Sequence, residues 1–183
     1  MKISLKKILL FSLTAFSVLL TIVGTSCKRD KCKDVVCAFN GVCNGGTCTC
    51  QPGYEGNNCV TISRDKFIRN WTVNEKGSVT NQAEYQVSIV ASDSIPQVAI
   101  VNFNNYFTST PIIANIKGDS IFIPNQQYNG KVVFGTGYIY SSTADGVNGD
   151  ISMSYEVIDT ATNRVDDFGY YSSSDGSQPS AWN

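Results

Sequence analysis

All seven cysteines of this 183-residue chain lie at or before Cys59. That asymmetry divides the chain before any other property is read. Cys27 ends an apolar leader, and Cys32, Cys37, Cys43, Cys48, Cys50 and Cys59 form a compact group of six. An even group in so short a stretch implies a disulfide framework, which persists in oxidising compartments. The odd cysteine needs an account of its own. The remainder of the chain must hold its core by burial alone, and an apolar content of 42% is sufficient for that.

Lys2, Lys6 and Lys7 precede an uncharged run from Ile8 to Val23, and Gly24, Thr25 and Ser26 then lead into Cys27. A cationic start, a short apolar stretch and small residues describe a secretory signal peptide over residues 1–26. The run is shorter than the roughly 20 residues of a bilayer span, so cleavage is expected rather than an uncleaved anchor. Without the three leader lysines, the 14 basic side chains fall to 11 against 15 acidic ones, a net charge of −4. Such mild acidity provides no footprint for nucleic acid. Histidine is missing altogether, which removes the commonest general base and the commonest metal ligand.

The end of the leader resembles the lipobox of bacterial lipoproteins: Thr25 and Ser26 are the small residues before the cysteine, and Gly24 stands where Leu is usual. This resemblance implies a lipid (palmitate) on Cys27, and several acyl chains on one residue hold a protein stably at a membrane. The other reading of Cys27 is a free thiol on a secreted protein. Residues 27–31 then form a short charged tether. A Bacteroidetes-like lipoprotein of this kind is expected in the cell envelope, at the outer membrane and surface-exposed.

From Cys32 the spacing is C-x4-C-x5-C-x4-C-x-C-x8-C, with a tail that includes Gly53, Tyr54 and Gly56. A stretch this short cannot bury enough surface to fold unaided, so covalent closure replaces the missing core, at about 2–4 kcal/mol per bridge. Spacing alone leaves the connectivity open. A zinc site would show C-x2-C pairs or histidines, and neither is present, so no metal is expected. The pattern closely resembles an EGF-like domain, placed at residues 32–60. The resemblance implies pairing of Cys32 with Cys43, Cys37 with Cys48, and Cys50 with Cys59, and a role as spacer or protein contact. Calcium-binding relatives carry several acids before the first cysteine; here Asp30 is flanked by Lys28, Arg29 and Lys31, so neither calcium nor any cofactor is expected.

Residues 61–183 change to alternation at period two, the mark of half-buried strands. Tyr85, Val87, Ile89 and Ala91 share one face, as do Ile151, Met153, Tyr155 and Val157. Val132, Phe134, Thr136, Tyr138 and Tyr140 alternate with Gly135 and Gly137, and paired glycines in mid-strand predict a sharp bend or close approach of backbones. Eight strands are predicted, near 67–75, 84–91, 97–102, 112–117, 120–124, 131–140, 150–159 and 166–172. Turns are expected at Lys117-Gly118-Asp119, Ser92-Asp93, Asp145-Gly146 and Asn148-Gly149. The fold class is all-β: a small disulfide-rich module plus an antiparallel eight-stranded up-and-down barrel, with a two-sheet sandwich as the alternative. The stretch is similar to a lipocalin-like β domain of Bacteroidetes secreted proteins in its Phe67–Trp71 strand, Ile100-Val101-Asn102-Phe103, Ile123-Pro124-x-Gln126 and Tyr155-x-Val157. Arg69 stands where true lipocalins have glycine.

Candidate sites are few. A nucleophilic triad would lack its histidine, and the available carboxylates are Glu75, Glu156 and Asp166-Asp167, the last pair expected in a solvated turn. No enzyme is expected. Phe103, Tyr106 and Phe107 sit with Asn102, Asn104 and Asn105 in one loop, either as a recognition platform or as a plug at one end of the β domain. Asp93-Ser94-Ile95, Asp119-Ser120-Ile121 and Asp159-Thr160-Ala161 resemble the O-glycosylation acceptors of Bacteroidetes, which implies modification at Ser94, Ser120 and Thr160. The expected function is non-catalytic binding or adhesion by a lipid-anchored protein, with a protein or glycan as partner. The alternative is a lipocalin-like carrier of a small apolar ligand, which requires that Trp71, Tyr85, Phe134 and Tyr155 leave an open cavity.

Overall fold

The computed structural model describes residues 30–140, 149–170 and 176–183. Cys27, the leader and the turn at Asp145-Gly146 lie outside them, as does Asn148.

Four short strands make up the cysteine-rich part: β1 (Val42–Asn44), β2 (Thr47–Thr49), β3 (Tyr54–Glu55) and β4 (Thr61–Ile62). β1 and β2 form a hairpin whose turn uses Gly45 and Gly46 at φ of 62° and 97°, where a side chain would be strained. Three bridges hold the module together: Cys32–Cys43, Cys37–Cys48 and Cys50–Cys59, with Cα separations of 5.8, 5.6 and 5.3 Å. This is the pairing that the EGF resemblance implies. β4 pairs back onto β3, so the small sheet reaches Ile62 before a single 3-10 turn at Ser63–Lys66 leads onward.

The rest is a closed antiparallel barrel. Its strands are β5 (Arg69–Glu75), β6 (Ala83–Ala91), β7 (Gln97–Val101), β8 (Ile112–Lys117), β9 (Ser120–Tyr128), β10 (Lys131–Tyr140), β11 (Asp150–Asp159), β12 (Val165–Phe168) and β13 (Ser180–Trp182). β5 to β11 follow one another as a meander. β13 closes the wall between β11 and β5, with Ile151 opposite Trp182 and Trp182 opposite Val73. Eight strands therefore complete the circuit, and the sandwich alternative is set aside.

Closure differs from the sequence expectation. The strand near 166–172 exists as β12, but it pairs only with the outer half of β11 and never reaches β5. Three residues near the end of the chain perform the closure instead. The face of β10 is also the reverse of the alternation that places its aromatics inside. Val133 and Gly137 are buried, while Tyr138 and Tyr140 are exposed and Phe134 lies half-buried, edge-on to Tyr170. The cause is steric. A Cβ on Gly135 would lie 2.5 Å from the Ser154 carbonyl oxygen, and one on Gly137 would lie 2.6 Å from that of Ser152. Only glycine lets β10 press this closely on β11 at the curve of the wall.

The interior is filled. Trp71, Tyr155, Phe168 and Trp182 are fully buried beside Val87, Ile89, Ile100, Ile121 and Met153. Strand direction defines two ends. One carries the 3-10 turn and the turns at 92–96 and 118–119; the other carries the loops at 76–82, 102–111, 129–130 and 160–164. The cysteine-rich module docks on the first, here called the module end. Lys66 bridges Glu55 of the module at 2.7 Å and Asp119 of the β8–β9 hairpin at 2.6 Å. Burial would lower the Lys66 pKa, but its two carboxylate partners outweigh that and hold it above the usual lysine range. Arg64 Nη1 donates to the carbonyls of Ser92, Ser94 and Gln97. Gly53 nestles against Ile95 and Pro96 so closely that a Cβ there would meet Ile95 at 2.8 Å.

Candidate binding cleft at the far end

Asn102, Asn104 and Asn105 shape the 102–107 loop by adopting left-handed backbone, at φ of 62°, 53° and 48°. Asparagine tolerates that conformation better than most residues, which is why three of them cluster in one tight excursion. Their amides are then used inward. Asn102 donates to the Gln86 carbonyl at 2.7 Å, and Asn104 donates to the Tyr155 hydroxyl at 3.0 Å and to Glu75 at 3.3 Å. Phe103 and Phe107 are buried, and Phe103 packs on Tyr155 and Trp182 with centroids at 4.7 and 6.0 Å. These two rings plug the far end. Tyr106 alone among the three candidate aromatics is turned out, 43% exposed, with its hydroxyl on the Asn129 carbonyl at 3.1 Å.

Beneath the plug lies a buried carboxylate, Glu75, with no cation paired to it among the described residues. Glu75 accepts from the hydroxyls of Tyr85, Tyr155 and Ser180 as well as from Asn104. Burial, then the charge of Glu75, pushes the pKa of both tyrosines above the ordinary phenol range, so both remain donors. The group ties β5, β6, β11 and β13 together. It is a satisfied structural network enclosed by protein, with no lone pair left to activate a substrate.

The other candidate acids are similarly engaged. Asp166 and Asp167 lie on β12 rather than in a turn, and project to opposite sides. Asp166 accepts from the backbone N–H groups of Val79 and Thr80 at 2.9 and 3.2 Å. Asp167 is buried and accepts from Tyr170 N and the Ser177 hydroxyl. Glu156 sits directly opposite Asp167 in the ladder, and burial, reinforced by that neighbouring charge, raises its pKa. Among the described residues, no group of three or more acids or cysteines is placed to hold a metal.

Around Tyr106 opens a cleft of about 400 Å³ that sequence reasoning did not find. Val79, Val157, Lys131, Arg164, Asp159 and Asp166 line it. They come from four separate segments of the far end, so no local motif marks them. Asp159 is held well below the usual carboxylate range by Lys131, assisted by the N–H groups of Thr162 and Ala161. The glycosylation-like hydroxyls do not converge here. Ser94 is in the 92–96 turn and Ser120 begins β9, both at the module end, whereas Thr160 donates to the Gly130 carbonyl at 2.9 Å at the far end.

Comparisons with known proteins define the first module only. Residues 34–61 match the Teneurin-like EGF domain family. With its three bridges, the N-terminal module is EGF-like. A solved structure from Bacteroides ovatus, described as a structural-genomics protein of unknown function, is 12% identical with a TM-score of 0.39. That alignment covers 62% of this chain and 40% of the other, so the chain spans less than half of that protein's length. A score this low does not establish a shared fold. No curated protein sequence matches the chain.

Proposed function

We propose that the chain is a membrane-anchored, surface-exposed lipoprotein whose barrel has a non-catalytic binding or adhesion role. In this reading residues 1–26 direct export, Cys27 carries the lipid, and the EGF-like module is the spacer between membrane and barrel. The observation that supports it most is the opposition of the two ends. The spacer docks at the 92–96 and 118–119 turns, while the Tyr106 cleft opens at the other end of the same strands. An anchor entering on one side thus presents the cleft outward. A lipocalin-like carrier is the competing reading. It requires space inside the wall, where Trp71, Tyr155, Phe168 and Trp182 are packed beneath the Phe103 and Phe107 plug. The engagement of Glu75, Asp159, Asp166 and Asp167 by internal donors favours binding over catalysis.

The test uses intact cells and an antibody raised against the folded barrel. Staining without permeabilisation is expected, and Cys27→Ala should move the protein out of the membrane fraction. Staining only after permeabilisation would sink surface exposure; a C27A protein that stays in the membrane would sink the lipid anchor.

A further inference from the structure

The cleft around Tyr106 contains two carboxylates and two cations, so its formal charges cancel, but its hydrogen-bond donors and acceptors are not equally available to a ligand. Both carboxylates keep their charge, but the fold already directs donors at all four of their oxygens. Asp166 Oδ1 takes two backbone N–H groups and its Oδ2 takes the Thr80 hydroxyl. Asp159 Oδ1 takes the N–H groups of Ala161 and Thr162, and its Oδ2 takes Lys131 Nζ at 2.7 Å. The cations are not consumed. Lys131 spends one of its three N–H bonds on Asp159, and the Arg164 guanidinium has no partner among the described residues. What the cleft offers is therefore a surplus of charged donors. It also offers a ring: Tyr106 is exposed, and Lys131 Nζ lies 5.6 Å from its centroid. Val79 is 40% exposed beside it.

Donor surplus selects an anion, and an exposed aromatic face selects a ligand with a flat apolar side. A peptide recognised by strand addition would need a free edge several residues long, and the strands beside this cleft are largely paired. β10 and β11 are paired on both sides, and at Asp167 the outer edge of β12 is met by Ser78, whose N–H donates to the Asp167 carbonyl at 2.8 Å. Ser78 Oγ accepts from the Asp167 N–H at 2.9 Å on the same edge. A sugar ring bearing one anionic group fits both demands and needs no edge. The volume of about 400 Å³ is within the range of small-ligand pockets.

We propose that the far-end cleft binds an anionic saccharide unit, its charged group on Arg164 and Lys131 and its ring against Tyr106. The proposal rests on the reading of the far end as a binding end and names the ligand class for it. Its test is calorimetric titration of the full chain in detergent micelles, at low and physiological salt. The probes are galacturonate oligomers, sulfated galactose oligomers, neutral galactose oligomers and a glutamate-rich peptide. Binding of either anionic sugar, weakened by salt, is expected, and the two arms distinguish carboxylate from sulfate. Arg164→Ala should lower affinity about tenfold or more, the loss of a charge-assisted pair, with an unchanged circular dichroism spectrum. Tyr106→Phe should retain binding and Tyr106→Ala should lose it. Equal binding of the neutral oligomer, preference for the acidic peptide, indifference to R164A, or no binding of either anionic sugar would each overturn the proposal. Because surface display is read separately on cells, such a failure leaves the membrane-anchored reading standing on its own result.

Discussion

Single residues decide how this barrel tolerates charge. Glu75 and Glu156 are both buried carboxylates, but one is surrounded by donors and the other faces Asp167. Tyr155→Phe removes one donor from Glu75 and should cost about 1–3 kcal/mol, read from a urea midpoint. The raised phenol pKa values of Tyr85 and Tyr155 carry a further expectation. Stability from these groups is fully present below the ordinary value of 10 and falls as pH rises above it. Midpoints measured from pH 8 to 11 should decline, and the Tyr85→Phe and Tyr155→Phe variants should each decline less steeply. Glu156 follows the same rule at acid pH: its raised pKa means its favourable contribution is complete below 4.5 and lost as pH rises. Glu156→Gln should therefore raise the melting temperature at pH 7 and leave it unchanged at pH 4. Both glutamates stand out in the sequence as acids, but neither role can be read there. Glu75 meets Tyr155 and Ser180 across 80 and 105 residues, a separation that no local pattern spans.

At the scale of elements, alternation located β5 to β11 well, because these strands are long and each buries one face. It failed where the inward residue has no side chain to mark it. In β10 the inward positions include Gly135 and Gly137, and the apolar label falls on the outward aromatics instead. Gly135→Ala should cost about 1–3 kcal/mol through overpacking against the Ser154 backbone, visible as a lower denaturation midpoint. β9 carries a second irregularity. Ile123 pairs with Gly135 and Gln126 with Val133, so β9 holds an extra residue beside Pro124, which has no N–H to give the ladder. The Gln126 side chain then stands in for a strand, accepting from Ile113 N at 2.9 Å and donating to Ile113 O at 2.7 Å. The Ile-Pro-x-Gln run was visible in the sequence; its use as a backbone substitute was not. β13 was missed because three residues behind Pro179 are too few to display a period.

For the whole molecule, the joint between the EGF-like module and the barrel is built from contacts too specific for a loose linker. Gly53 has φ of 89° and no room for a Cβ against Ile95 and Pro96. Gly53→Ala should open the joint and speed tryptic cleavage after Arg64 and Lys66; equal cleavage rates would mean the docking is not what protects them. Closure of the wall sets an order of events as well. β5 is the first barrel strand and finds its second neighbour only in Ser180–Trp182 and Asn183, whose backbone exchanges two bonds with Thr72 at 2.8 and 3.0 Å. A chain that emerges N-terminus first therefore carries two open strand edges, on β5 and on the inner half of β11, until residues 180–183 arrive. The interval is a time of exposure to mispairing with other chains. Rapid delivery of residues 180–183 to the gap between those edges is what shortens it.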